Sequence, residues 1–125
     1  MSPNATFPYD PRSVPRARRF IREVLSREPT ETIEVAELMV SELATNCIRH
    51  AGTGFELLVL TGDEIRIEIS DSGQGTPRLL TPRPTDPSGR GLRIVEGLSR
   101  RWGVSSRARG KTVWFTLLAP EAQRR

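Results

Sequence analysis

The apolar residues change period at Gly52-Thr53-Gly54, and that change restricts the chain to a mixed fold. Upstream, Val14, Ala17, Ile21, Val24 and Leu25, then Ala36, Met39, Val40, Leu43 and Cys47, recur at the spacing of amphipathic helices. Downstream, residues 55–60 are a short apolar run and Thr61-Gly62-Asp63-Glu64 is turn chemistry. Ile65, Ile67 and Ile69 then alternate with Arg66, Glu68 and Ser70, as in a hairpin with one buried face. The spacing predicts a first helix over 14–28, capped by Ser13 and stopped before Pro29. A second helix, capped by Thr30 or Thr32, runs to Ala51 and is stopped by Gly52. The Gly-, Pro- and Thr-rich stretch 73–88 reads as a loop. A third helix follows over 91–101, with Leu92, Val95 and Leu98 inward, and a second hairpin pairs 104–107 with 112–119. Residues 1–11 read as an extended segment, with 6–9 on a sheet edge, and 121–125 as a frayed tail. Hairpins with helices on one face make an α+β two-layer sandwich around a mixed, mostly antiparallel sheet.

At 125 residues without an internal repeat, a single domain over 1–125 is expected. Such a chain buries roughly two-thirds of its unfolded surface and needs no disulfide or metal staple. Its single cysteine excludes an intramolecular disulfide. No segment approaches the ~20 apolar residues of a membrane span, and the N-terminus lacks the apolar core of a signal peptide. A cytoplasmic protein is the expectation. Of 19 basic residues only Lys111 is lysine, and the net charge is +4. The few aromatics do not interleave with arginine as stacking platforms would, so a nucleic-acid module ranks low. Most cations lie on the first helix, at Arg100-Arg101, in the last turn and in the tail, which suits a solvated surface or a face for acidic partners.

Glu42 and Asn46 are four apart and stack on one side of the second helix, at the edge of its apolar arc. A carboxylate and a carboxamide there are costly unless paired. They fit either a boundary pair bonded to a neighbouring loop or an oxygen pair at a pocket rim, able to hold Mg²⁺ and a hydroxyl. His50 falls inside the arc and reads as a core histidine bonded to a carbonyl. With no second histidine and no further cysteine, zinc chemistry and a nucleophile triad at Cys47 lack support. Asp71-Ser72-Gly73-Gln74-Gly75 follows directly on the alternating strand, so Asp71 emerges beyond its end and the glycines let backbone approach a flat or charged ligand. Ser88-Gly89-Arg90-Gly91-Leu92 opens the third helix, where unpaired N–H groups and the dipole favour an anion. The stretch 76–87 between these loops has the composition of a lid. Gly110-Lys111-Thr112 imitates the end of a phosphate-binding P-loop, but Ser105 stands where its first glycine belongs and a strand follows instead of a helix. Among the cations only Arg90 and Lys111 are candidate pocket residues.

Taken in order, E-L-x-x-N-x-x-x-H, D-x-G-x-G, G-x-G-L and G-K-T resemble the four boxes of the GHKL ATPase (Bergerat) fold. The strings ELATNCIRHAG, DSGQG, GRGLRIVEGLSRRWG and GKTVWF are similar to the anti-sigma-factor serine kinases of bacterial partner switching, in particular the arginine-rich, stand-alone actinobacterial members. The resemblance covers nearly the whole chain. It implies ATP and Mg²⁺ as cofactors, with Asn46 on the metal and Glu42 as general base toward a partner serine. It implies that Asp71 accepts from the adenine amino group with Thr112 nearby through water. Gly73, Gly75, Gly89, Gly91, Leu92 and, with less weight, Arg90 would shape the phosphate region. The implied partners are a sigma factor and an anti-anti-sigma (STAS-domain) protein, with a homodimer as the family's usual state. The chain departs from histidine kinases in its short stretch 76–87 and in lacking a phosphoacceptor helix ahead of the ATP domain. The alternative is a non-catalytic regulator whose partner choice is set by the bound nucleotide.

Overall fold

A computed structural model describes residues 2–73 and 87–119, the side chains of 87–92 excepted. The elements run β1 (Asn4–Phe7), α1 (Ser13–Val24), α2 (Thr30–Asn46), a π turn (Cys47–Ala51), β2 (Phe55–Thr61), β3 (Glu64–Asp71), α3 (Pro87–Leu98), β4 (Arg101–Ser106) and β5 (Lys111–Leu118). The strands form one sheet in the order β1-β2-β3-β5-β4, and every described pairing is antiparallel rather than mixed. The α+β sandwich is therefore as expected. β3 sits at its centre because Ile65, Ile67 and Ile69 present one unbroken apolar face, buried against Leu57, Val59, Phe115 and the helices. Each such side chain contributes about 2 kcal/mol relative to exposure. Phe7 stacks on Phe55, with ring centroids 5.1 Å apart, and meets the edge of Phe20, which fixes β1 and α1 to the same core.

Several boundaries move for identifiable reasons. Ser13 lies inside α1, and its hydroxyl donates to the Pro8 carbonyl at 2.7 Å instead of capping. Arg12 stands at the N-cap without a side-chain cap, and its backbone N–H donates to Asp10 Oδ1 at 2.8 Å. The Arg12 guanidinium and N–H hold the Asp10 carboxyl down at about 2. Helix α1 ends at Val24, not 28. Neither Thr30 nor Thr32 caps α2, because Pro29 occupies the N-cap and its carbonyl accepts from Ile33 at 3.1 Å. Helix α3 begins at Pro87, four residues before the expected start, since proline at a first helical position has no N–H to satisfy. It ends at Leu98 because Arg100 already donates to the Thr116 carbonyl at 2.8 Å, and β4 opens at Arg101. The expected lid, Gly75 and the expected frayed tail lie outside the described residues.

Candidate functional site

Helix α2 does not continue to Ala51. At Asn46 it widens into the π turn, closed by the Gly52 N–H donating to the Cys47 carbonyl at 2.9 Å, five residues back. Gly52 completes the turn at φ 68°, a conformation that suits glycine. The wider turn carries extra backbone per rotation, so a wheel at 100° per residue misplaces the side chains beyond Asn46. His50 is consequently exposed and not a core residue, whereas Cys47 stays buried. Glu42 and Asn46 remain one turn apart on α2, both half-buried at the rim expected of them.

Asp71 is the last residue of β3 and is only 4% exposed. Strand alternation turns it to the helix-covered face. Its Oδ1 accepts from the Gly73 N–H at 3.0 Å, and its Oδ2 accepts from the Lys111 ammonium at 2.8 Å. The Cys47 thiol lies 4.0 Å from the same Oδ2, which ties the end of α2 to the end of β3. Burial, and secondarily the Asp71 charge, push that thiol up to about 12, against the opposing pull of Lys111. Cys47 is thus a neutral packing residue at physiological pH.

Two glycines make this corner possible. A Cβ on Gly73 would stand 2.8 Å from the Ala51 Cβ and 2.9 Å from its carbonyl, so the loop after β3 lies directly on the π turn. Gly110 has φ 86°, and a Cβ there would overlap the Asp71 carbonyl. That close approach sets Lys111 opposite Asp71 at the head of β5.

The structure therefore brings together Asp71, Gly73 and the π turn Cys47–Ala51 that follows Asn46, but not Thr112. In the β3–β5 register Thr112 faces Ser70, and their hydroxyls share a 2.7 Å hydrogen bond on the opposite face of the sheet. Next to Asp71 stands Lys111 instead. The signal for this was the alternation of β5 itself, in which Lys111, Val113, Phe115 and Leu117 share the inner face. Gly89, Arg90, Gly91 and Leu92 fall within the first six residues of α3, which packs against α2. Pro87 has no N–H, and the remaining unpaired backbone N–H groups at this helix start can serve an anion.

The family model described as a histidine kinase-like ATPase domain matches residues 7–117. An uncharacterized protein of Streptomyces coelicolor is 36% identical over 81 residues, which span 59% of this chain and 76% of that protein. Among solved structures, the RsbU and RsbW domains of a Mycobacterium tuberculosis protein superpose with a TM-score of 0.73 at 18% identity over 93% of this chain. The chain spans only 32% of that structure. The blue-light activated histidine kinase of Erythrobacter litoralis EL346 follows with a TM-score of 0.61 at 21% identity, covering 90% of this chain and 42% of its own. At these identities the superpositions speak for the fold.

Proposed function

The chain belongs to the histidine kinase-like ATPase domain family, and from that premise we propose that it is a protein serine kinase of the anti-sigma-factor type. In this reading it uses ATP and Mg²⁺ to phosphorylate a serine of an anti-anti-sigma (STAS-domain) partner in the cytoplasm, and otherwise holds a sigma factor. ATP binding goes with the family. The serine substrate, the partners and Mg²⁺ are inferred from the box sequences and supported by the likeness in fold to the RsbU–RsbW structure.

The observation that carries the nucleotide reading is Asp71, a carboxylate buried at the end of the central strand and held by the Gly73 N–H. Burial of such a group is costly unless it is paired, and Lys111 and the Gly73 N–H offset that cost. An ionised carboxylate has about four acceptor positions, so an exocyclic amino group can share it with the partners already present. The donors fit a nucleotide elsewhere too. Among the described residues no group of three or more His, Cys, Asp or Glu is arranged to hold a metal ion. That suits Mg²⁺, which takes one or two protein oxygens and completes its shell with phosphates and water. The Asn46 amide oxygen would be the protein ligand. Unpaired backbone N–H groups at the N-terminal end of α3, around Gly89 and Arg90, would serve the phosphates, and Gly73 would keep the approach narrow.

Phosphoryl transfer needs positioning, charge stabilisation and one oriented base. Glu42, a turn before Asn46, would accept the proton of the incoming serine hydroxyl as its oxygen bonds to the γ-phosphorus and the bond from that phosphorus to the leaving ADP breaks. Nothing in this mechanism asks for a second domain. The test is transfer from labelled ATP to candidate STAS partners. Glu42→Ala should keep ATP affinity within about twofold and lower transfer by about 10²-fold or more. Full transfer by that variant removes Glu42 as base. No phosphoserine from the wild-type chain, with ATP binding intact, leaves the non-catalytic regulator.

A further inference from the structure

Lys111 stands within the G-K-T box without a role implied for it, yet its ammonium is held on the buried carboxylate of Asp71. We propose that Lys111 is the residue that reads ring nitrogen N1 of the bound purine, completing an edge of which Asp71 reads the amino group. This rests on the nucleotide reading of Asp71 and adds to it a specificity-determining side chain.

Three observations converge on this. First, the β3–β5 register sets Lys111 directly across from Asp71 on the helix-covered face, and Thr112 on the other face, where its hydroxyl is bonded to Ser70. A water held between Thr112 and Asp71 has no geometric basis in that register. Second, the ammonium carries three donors, and one of them serves Asp71 Oδ2. The Lys111 side chain is 22% exposed, against 3% for Asp71, so it borders the space a ligand enters. Third, the pair is chemically matched to adenine. The adenine edge presents an amino donor beside the N1 acceptor. The protein presents the Oδ2 acceptor beside the Nζ donor, 2.8 Å apart. Guanine reverses both positions, with O6 where the amino group was and a protonated N1, so it would set oxygen against carboxylate and N–H against ammonium.

The test is the affinity of the full chain for ATP and for 1-deaza-ATP, which keeps the amino group and replaces N1 with carbon. The wild-type chain should bind 1-deaza-ATP about tenfold more weakly. Lys111→Met should bind the two equally, whereas Thr112→Val should keep the tenfold preference. A tenfold preference retained in Lys111→Met, or lost in Thr112→Val, overturns the assignment while leaving the nucleotide reading in place. Absence of ATP binding by the wild-type chain overturns the nucleotide reading itself. If Lys111→Met does not fold, the wild-type chain decides the matter, because Lys111 is its sole lysine and gives one side-chain ammonium resonance. That ¹⁵N signal should shift with ATP and stay in place with 1-deaza-ATP. Equal shifts with both would overturn the proposal.

Discussion

Strand β3 carries an ion pair at each end, and the two differ in almost everything but charge. At one end Asp71 meets Lys111, with side chains 3% and 22% exposed. At the other, Glu64 meets Arg101 and Arg100, with the carboxylate 23% exposed and the guanidinium groups mostly in water. The solvated pair contributes at most about 1 kcal/mol, since water screens it and two long side chains must be held still. In the buried pair, loss of one partner strands an uncompensated charge. Backbone follows the same division. Gly110 lies on the Asp71 carbonyl at positive φ, whereas a Cβ on Gly62, in the turn at the opposite end, would meet nothing within 4 Å. One strand register therefore produces a chemical corner and an ordinary surface, and burial decides which is which.

The largest test of that division is Lys111→Met, which should lower the unfolding free energy by about 3 kcal/mol at pH 7, measured by denaturant titration. A loss under about 1 kcal/mol would make the two ends equivalent. Next comes Gly110→Ala, expected to cost about 2 kcal/mol through positive φ and overlap with Asp71. Gly62→Ala should stay within about 0.5 kcal/mol, so equal losses at the two glycines would erase the contrast. A smaller effect is confined to alkaline pH. Because the Cys47 thiol is raised, the native chain keeps its proton after the unfolded chain has lost it. Its contribution is therefore complete below pH 9 and is lost as pH rises toward 12. Comparing wild type with Cys47→Ala over that range should show a shallower decline in the variant, and parallel curves would contradict the buried setting. Smallest of all, Arg101→Ala should change stability by no more than about 0.5 kcal/mol, and that change should shrink in salt.

Local pattern announced much of this molecule. The triple alternation of Ile65, Ile67 and Ile69 identified the central strand, and the glycines after Asp71 marked its open end, because both signals reside in neighbouring residues. The stack of Glu42 on Asn46 was equally legible from helical spacing. The features that escaped were of two kinds. The π turn escaped because a helical wheel assumes constant pitch, so His50 was placed inside when it is outside. The start of α3 was available in Pro87, which the preference of proline for a first helical turn explains, but Gly89 and Gly91 read more strongly as loop. Lys111 escaped for a deeper reason. Its partner is 40 residues away, and only the register of two strands decides whether lysine or threonine reaches it. Local spacing compared Gly110-Lys111-Thr112 with a phosphate loop and rightly rejected it, without saying what the lysine does.

That separation also has a consequence for how the molecule comes into being. As the ribosome extends the chain, Asp71 is made 40 residues before its counter-charge. Strand β3 can pair early with β2 through a two-residue turn, but its other edge stays open until β5 arrives, with helix α3 and strand β4 made in between. Closing so long a loop is the slow kind of folding step, and an open apolar edge is where a nascent chain is exposed to wrong partners. The Asp71–Lys111 corner is thus assembled last, and a truncated product ending before residue 111 carries the carboxylate without the lysine paired with it.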